Sequence, residues 1–414
     1  MPNHFTSSAA SRFRSYVTFD TQSDDQSESY PSTDKQLVLL RHLVAELQEM
    51  GVSDASIDRF GYVMATLPPT RGKEHIPVIG FLAHVDTSPE LSGSDVRPIV
   101  HRNYDGRDLV LPDDPALVLR ESDNPELADQ RGNDIITASG TTLLGADDKC
   151  GVAEIMAAAD YLLAHPDIPH GAIRIGFTPD EEVGRGTQHF DVDRFGAMYA
   201  YTLDGPTCGD FEVENFSADA MTLVFQGFNA HPGYAKGRMV NALKLAAEFV
   251  HRLPRHGMSP ETTAEGDGFV HPHTVGGGVE RASVKLLLRD FATQGLDDKA
   301  RMLTDLAHEI VRPYPAALVH IDRQESYRNM KEVLDRYPEV VEHAMTAMRR
   351  AGLKPRFRRI RGGTDGARLS FMGLPTPKLF AGQHNIHSRL EWTSVQDMDK
   401  SVEVIVEISR SWAE

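Results

Sequence analysis

The stretch that decides the fold is PVIGFLAHVD, residues 77–86, in which an apolar run of strand length leads directly into a histidine and an aspartate. Similar apolar runs follow at residues 172–178 and 198–203. Between the first two runs, apolar side chains recur at helical spacing from Val152 to Leu163. A strand, a helix and a strand in this order predict an α/β fold with a mixed, largely parallel sheet.

The pattern changes in the third quarter of the chain. Strand-like runs at residues 220–225, 282–288 and 317–321 alternate there with two helical segments. This alternation indicates an inserted α+β domain. The predicted organisation is a main domain in two parts and one inserted domain, with bounds at 1–215 and 328–414 for the main domain and 216–327 for the insert.

The composition argues against several kinds of partner and location. There are 43 Lys and Arg residues against 60 Asp and Glu, a formal net charge of −17. Such a surface repels nucleic acid and anionic membranes. The two cysteines form no disulfide framework, and neither a transmembrane run nor a signal-peptide core is present in the sequence. We therefore expect a cytoplasmic protein with no nucleic-acid and no membrane partner.

Side chains that can bind metal stand at the ends of the predicted strands or beside the helix between them. In chain order these are His84, Asp86, Asp147, Asp148, Glu181, Glu182, Asp204 and His387. Each alone has an ordinary explanation, as a structural histidine or an acidic loop residue. Sites in open α/β sheets collect beyond the carboxyl ends of strands, so we expect these residues to meet.

The chemistry of this set suits a pair of metal ions. Zinc accepts histidine nitrogen and carboxylate oxygen. Two histidines and three carboxylates are enough for two ions about 3.5–4 Å apart if one carboxylate bridges them. A further carboxylate must carry the proton of the attacking water. The adjacent Glu181 and Glu182 offer that division, with one as a ligand and the other as the base.

Seven segments, spread in order over nearly the whole chain, form a recognisable pattern. They are HVDTSP at 84–89, TLLGADDK at 142–149, FTPDEEVG at 177–184, YTLDG at 201–205, HPG at 231–233, RGGTDGA at 361–367 and NIH at 385–387. Together they resemble the peptidase T branch of the co-catalytic zinc exopeptidases. The resemblance implies a zinc-exopeptidase-like catalytic domain, an inserted ferredoxin-like domain that serves as lid and dimerisation surface, and a homodimer. It also implies an aminopeptidase that releases the N-terminal residue from tripeptides.

The resemblance assigns the metal ligands. Asp147 corresponds to the bridging carboxylate, Glu182 and His387 complete one zinc site, and His84 and Asp204 complete the other. Two Zn²⁺ ions per chain are therefore expected, with Co²⁺ or Mn²⁺ as substitutes.

The resemblance also assigns the remaining active-site groups of the main domain. Glu181 corresponds to the general base and acid that acts on a water bound to the two zinc ions. Asp86 corresponds to the carboxylate that orients His84, and the peptide bond between Asp147 and Asp148 is expected to be cis.

Further residues are assigned to the substrate. His231 resembles a lid histidine that polarises the substrate carbonyl. Arg361 and Arg289 resemble arginines that grip the substrate carboxylate, a task that suits the planar guanidinium fork. Asn329 is a further predicted substrate residue.

The chain departs from the family pattern around the last motif. His384 stands where the family has an aromatic residue, so it competes with His387 as the metal ligand. Residues 388–390, SRL, replace a Gly-Lys-His run, which affects the expected loop geometry and substrate preference.

Two other functions stay open at the level of sequence. One is another amide hydrolase on the same scaffold, such as a dipeptidase, a carboxypeptidase or a deacylase. The other is a catalytically silent metal-binding protein, against which the presence of Glu181 argues because a structural metal site needs no general base.

Overall fold

A computed structural model describes residues 5–414 and divides the chain into two compact units. The first unit runs to Val213 and resumes at Glu332–Arg358 and Thr364–Glu414. The second comprises Glu214–Lys331 and Arg359–Gly363. The first unit is thus discontinuous, and five residues of its late segment group with the second unit.

The helices and strands of the described residues are numbered in chain order. The helices α1 to α10 are Ala9–Tyr16, Gln36–Glu49, Ala146–Ala164, Val192–Phe195, Ala242–Arg252, Thr293–Val311, Lys331–Leu334, Pro338–Arg350, Asp365–Phe371 and Val395–Trp412. The strands β1 to β18 are Ser56–Ile57, Val63–Leu67, Ile79–His84, Ile99–His101, Leu109–Val110, Val118–Leu119, Ile135–Thr137, Ile173–Thr178, Tyr199–Gly205, Asp210–Asn215, Ser217–Gln226, Phe269–Gly277, Arg281–Asp290, Leu318–Tyr327, Arg356–Ile360, Lys378–Phe380, Gln383–His384 and Trp392–Ser394.

The first unit is built on an eight-stranded sheet with the order β1-β2-β8-β3-β9-β16-β10-β15. The four central strands, β8, β3, β9 and β16, are parallel, whereas β2 and β10 pair antiparallel with their neighbours. Strands β3 and β9 are buried along their whole length, which explains their continuous apolar sequences. The predicted α/β class with a mixed, largely parallel core is confirmed.

Helix α3 lies against β3 and β9, and the contact with β9 is close at Gly151. A Cβ atom at this glycine would stand 2.0 Å from the carbonyl oxygen of Leu203. Glycine is therefore required where the helix approaches the strand backbone.

The second unit has a four-stranded antiparallel sheet with the order β12-β13-β11-β14. Helices α5 and α6 pack on this sheet and share its apolar core with β11 and β13. The sequence of elements, β11-α5-β12-β13-α6-β14, gives the expected ferredoxin-like arrangement. Strand β12 was not predicted, because its residues 271–277, HPHTVGG, lack an apolar alternation and contain a proline.

Within residues 5–414, no helix combines the length and the apolar character that crossing a bilayer demands.

Candidate metal centre

The carboxyl ends of the four parallel strands bring the predicted metal-capable residues together. His84 is the last residue of β3, Asp204 lies at the end of β9, and Glu182 follows β8 in the next loop. His387 follows β16 and the short strand β17, and Asp147 stands in the first turn of α3. The five side chains form two groups that could each hold a cation, and both groups contain Asp147.

The first group contains His84, Asp147 and Asp204. His84 Nε2 lies 3.1 Å from Asp147 Oδ1 and 3.9 Å from Asp204 Oδ1. The other ring nitrogen, Nδ1, lies 3.0 Å from the backbone oxygen of Asp86. A proton on Nδ1 would be donated to that oxygen, leaving Nε2 free as a ligand.

The second group contains Asp147, Glu182 and His387. His387 Nε2 lies 2.9 Å from Glu182 Oε2 and 3.5 Å from Asp147 Oδ2. Its Nδ1 lies 3.3 Å from the exposed carboxylate of Glu90, which the sequence had not singled out. The two oxygens of Asp147 thus face different histidines, Oδ1 towards His84 and Oδ2 towards His387.

Burial and mutual contacts shift the pKa values of the groups at this edge of the sheet. Burial raises the pKa of Glu182 to about 7, and hydrogen bonds with Asp147 and Glu182 raise the pKa of His387 to about 11. Burial would raise the pKa of Asp147, but hydrogen bonds from His387 and His84 hold it well below its usual range. Glu182 Oε1 is buried and has no hydrogen-bond partner among the described residues. A donor set of imidazole nitrogens and carboxylate oxygens with an unpartnered buried oxygen fits two divalent cations.

Asp86 connects the first group to the loop of the two glutamates. Its fully buried carboxylate accepts the backbone N–H of Glu181 at 2.9 Å and that of Glu182 at 3.1 Å. The same residue thus holds His84 through its backbone oxygen and the glutamate loop through its side chain.

Glu181 itself lines a narrow cavity together with His84, Asp204 and Asp365. Burial raises the pKa of Glu181 well above its ordinary value, and the charges of Asp365 and Asp204 add to this rise. A carboxylate with a raised pKa beside a metal-capable cluster has the proton affinity that a general base needs.

Asp180, which precedes Glu181, anchors the loop from the other side. It is fully buried, has a φ of 60°, and accepts hydrogen bonds from Ser32 N and from Gln36 Nε2, both at 2.7 Å. The N-terminal segment therefore fixes the backbone that carries Glu181.

The loop that presents Asp147 is held by Glu391. The buried carboxylate of Glu391 accepts the N–H groups of Leu144 and Gly145 at 2.7 Å and that of Asp147 at 3.0 Å. The peptide bond between Asp147 and Asp148 is cis, as the resemblance implied. Glu391 lies outside the seven segments that carried the resemblance.

Two residues that the sequence gave no reason to select contact Asp204. Lys378 Nζ lies 2.7 Å from Asp204 Oδ2. Gln383 Nε2 donates to Asp204 Oδ1 at 2.8 Å and lies 3.3 Å from Asp147 Oδ1. Burial would lower the pKa of Lys378, but Asp204 and Glu212 raise it well above its ordinary value.

His384 stands outside both metal-capable groups. Its ring stacks on Trp392 with centroids 3.9 Å apart, and burial lowers its pKa to about 4. The structure therefore places His387, and not its competitor, beside Asp147. Residues 388–390, which depart from the family pattern, are joined by a local hydrogen bond, in which Ser388 Oγ accepts the N–H of Leu390 at 3.1 Å.

The four predicted substrate residues belong to the second unit. His231 is exposed and accepts the N–H of Gly233 at 3.2 Å. Arg289 donates to the backbone oxygen of Arg361 at 2.8 Å, and the guanidinium of Arg361 lies over the ring of Phe216. Asn329 is buried, with its amide bonded to backbone groups of its own unit. Their contacts with substrate stay predictions.

Comparisons with known proteins agree on one family. Residues 133–411 match Peptidase family M20/M25/M40. The chain is 49% identical over 403 residues to a Peptidase T of Clostridium acetobutylicum. The match covers 97% of this chain and 98% of the relative.

Two solved structures have a similar fold. An aminopeptidase PepT from Bacillus cereus has a TM-score of 0.76 at 22% identity and covers 98% of both chains. A Bacillus subtilis protein described as a dinuclear metal-binding peptidase of the M20 family has a TM-score of 0.66 at 14% identity, covering 97% of this chain and 96% of that one. The chain therefore belongs to peptidase family M20/M25/M40 and, within it, to the peptidase T family.

Proposed function

We propose that the protein is a tripeptide aminopeptidase that uses two divalent cations, held by His84, Asp147 and Asp204 on one side and by Asp147, Glu182 and His387 on the other. The observation that carries this proposal is the position of Asp147, whose two oxygens face two different histidines 3.1 and 3.5 Å away. A carboxylate in that position can bridge two ions. Zinc is the proposed metal because it binds histidine nitrogen and carboxylate oxygen in sites with few protein ligands.

The chain's own residues supply the proton transfer. When bound, the cations would acidify a water molecule and polarise the scissile carbonyl group. Glu181 accepts the proton of the attacking water on its carboxylate and delivers it to the leaving amine. Asp86 holds Glu181 by accepting its backbone N–H group. Asp180, the residue before Glu181, is itself held by the N–H group of Ser32.

Recognition of the peptide ends is part of the proposal. Cleavage at the N-terminus is proposed because the chain belongs to the peptidase T family. Arg361 and Arg289 are the proposed partners of the substrate carboxylate, and His231 is the proposed partner of its carbonyl oxygen. The cytoplasmic location and a homodimer through the inserted unit stay predictions.

A peptide panel tests the activity. The protein, loaded with two equivalents of zinc, is incubated with trialanine, dialanine, N-acetyl-trialanine and trialanine amide. Trialanine should be cleaved fastest, with release of one N-terminal alanine, and the N-acetyl peptide should resist. Efficient cleavage of the acetylated peptide would instead indicate a deacylase or carboxypeptidase, and preference for dialanine a dipeptidase.

A second test addresses the proton carrier. Glu181→Gln should lower kcat by at least about 10²-fold, because general acid–base groups contribute 10²–10⁴-fold. It should still bind two zinc ions by calorimetry, because Glu181 is not among the proposed ligands. Full activity of the Glu181→Gln protein would exclude Glu181 as the base. A wild-type protein that binds no zinc would exclude the metal centre.

A further inference from the structure

Asp204 is held at both of its carboxylate oxygens, and the two holding groups differ in charge. Lys378 Nζ lies 2.7 Å from Oδ2, whereas the neutral amide of Gln383 donates to Oδ1 at 2.8 Å. Asp204, Lys378 and Gln383 are all largely buried, so water competes little for these contacts. Oδ1 is the oxygen that also faces His84 Nε2.

The sheet fixes the position of the lysine. Lys378 begins β16, where it pairs with Thr202 of β9 on one side and with Glu212 of β10 on the other. Thr202 and Asp204 line the same narrow cavity, and the pairing of β9 with β16 shifts register at Asp204. The ammonium group reaches Asp204 there and lies 4.0 Å from Glu212 Oε2, a buried oxygen without a hydrogen-bond partner in the described chain.

We propose that Lys378 is a positioning residue that restricts Asp204 to a single oxygen for metal binding and so favours zinc over cations that need more oxygen ligands. This inference rests on the proposed metal centre. Oδ1 can accept one hydrogen bond from Gln383 and still offer a lone pair to a cation. Oδ2 also keeps a lone pair, but the positive charge of the ammonium group 2.7 Å away repels a cation from it, so Asp204 binds metal through Oδ1 alone.

The direction of the effect follows from coordination preferences. Zinc favours few ligands in a tetrahedral arrangement, whereas Mn²⁺ favours six-coordinate sites rich in oxygen. Releasing Oδ2 adds one oxygen donor and therefore helps Mn²⁺ more than Zn²⁺. The lost charge of the lysine strengthens the binding of both divalent ions, so this contribution largely cancels from the ratio of their affinities.

The experiment isolates the site that contains Asp204. In the full-length His387→Ala protein, which lacks the second group, the dissociation constants of Zn²⁺ and Mn²⁺ are measured by competition with a chromophoric chelator. Adding Lys378→Met should lower the preference for Zn²⁺ over Mn²⁺ by about 10-fold, the lower end of effects seen for residues that hold metal ligands. Lys378→Arg should keep the preference, because it retains a charged donor to Oδ2.

Two further variants guard against misfolding and general destabilisation. Lys378→Met combined with Glu212→Gln removes the carboxylate that would lose its partner, and should show the same fall in preference. Lys299→Met removes a comparably buried lysine that pairs with Asp290 in the second unit, and should leave the preference unchanged. In Co²⁺-loaded protein, Lys378→Met should also weaken the visible d–d absorption, as expected when the coordination number rises.

The outcomes separate this inference from the proposed function. If the His387→Ala protein binds zinc but neither Lys378→Met variant changes the Zn²⁺-to-Mn²⁺ ratio, the role of Lys378 is refuted and the metal centre stands. The role of Lys378 is also refuted if Lys299→Met lowers the preference for Zn²⁺ over Mn²⁺ by the same amount. If neither the His387→Ala protein nor the wild-type protein binds zinc, the metal centre itself is wrong and this inference falls with it.

Discussion

Two buried carboxylates at the metal-capable edge, those of Glu391 and Asp86, accept backbone N–H groups of the loops that carry the proposed ligands. Glu391 is the clearest case, because its two oxygens accept three N–H groups of the loop that ends at Asp147. Asp86 does the same for the two residues of the glutamate pair. Such contacts determine where a ligand stands without contributing a ligand atom.

Replacing Glu391 by glutamine should therefore weaken metal binding. The amide offers one acceptor oxygen in place of two and turns an NH₂ group towards backbone donors. We expect a loss of about 1–3 kcal/mol in the free energy of unfolding of the metal-free protein and a loss of about 10–100-fold in zinc affinity. Denaturant unfolding and chelator competition measure the two effects. Unchanged zinc affinity would show that the loop does not depend on this residue.

A different buried glutamate makes the stability of the fold depend on pH. Glu154 in α3 is fully buried, and Ser401 Oγ lies 2.6 Å from its Oε2 and 3.3 Å from the backbone oxygen of Phe380. Burial raises the pKa of Glu154 well above its ordinary value of 4.5. A protonated Glu154 can donate to Ser401, whose own hydroxyl is then free for Phe380.

The sign of the pH effect follows from this raised pKa. Below pH 4.5 both the folded and the unfolded chain carry the proton, so the contribution of Glu154 to stability is fully present. It is lost as the pH rises through the folded pKa, because the unfolded chain releases the proton first. A tenfold preference for the neutral form corresponds to about 1.4 kcal/mol.

Glu154→Gln, which mimics the protonated acid, should consequently be neutral at pH 4 and stabilising at pH 8. Urea unfolding of the metal-free wild-type and variant proteins at both values measures the difference. Glu28→Gln, at an exposed position, is the control and should show no such difference. A gain of equal size at both values would mean that ionisation of Glu154 is not the cause.

For individual residues, the sequence predicted one part of the site and missed another. The motifs pointed to side chains that can bind metal, because the ends of parallel strands share one edge of a sheet. They could not point to Lys378 or Gln383, because these residues act through contacts between strands that are distant in sequence. Likewise, the sequence favoured His387 but left His384 as a competitor, and the contacts of His387 with Asp147 and Glu182 distinguish the two.

At the scale of elements, the approach of α3 to β9 decides how two of the proposed ligands are spaced. Asp147 lies in the first turn of α3, Asp204 is the second-last residue of β9, and Gly151 stands at the contact between the helix and the strand. The apolar runs predicted the central strands well because strands buried on both faces are continuously hydrophobic. Strand β12 escaped prediction because it is largely exposed and carries no such run.

Gly151→Ala should push the helix away from the strand. Helix propensity alone would favour alanine by about 1 kcal/mol, but the added methyl group meets a backbone oxygen that cannot move aside. We expect a net loss of about 1–3 kcal/mol in the free energy of unfolding, as for other overpacked sites, together with weaker zinc binding.

Gly278→Ala provides the matched control for this change, because a Cβ atom there meets nothing within 4 Å. Its unfolding transition and its zinc affinity should equal those of the wild type. A stabilised Gly151→Ala protein would show that the helix and the strand can separate without cost.

At the scale of the whole molecule, the chain segments that precede and follow the second unit in sequence complete one sheet of the first unit. The change in sequence pattern was enough to predict an inserted domain, because the order and spacing of the predicted strands and helices differ between the two units. The return of Arg359–Gly363 to the second unit could not be predicted, since five residues are too few to show any period.

Chelation should lower the stability of the complete protein. Without cations, the buried carboxylates at the sheet edge repel one another, and ligand binding to the folded state alone adds stability by mass action. The gain is about 2.7 kcal/mol for one site when free metal is 100 times the dissociation constant. Differential scanning calorimetry with EDTA, and again after addition of zinc, should show a reversible fall in Tm. Asp147→Ala, which removes the shared carboxylate, should show no response to either addition.

The strand order has a consequence for synthesis on the ribosome. Strand β16 lies between β9 and β10, although it is made about 160 residues after them. A nascent chain that has just finished the second unit thus has a gap in the middle of its main sheet, and it lacks His387 as well. We therefore expect peptidase activity only after the final segment is inserted, because that segment carries both β16 and the proposed ligand His387.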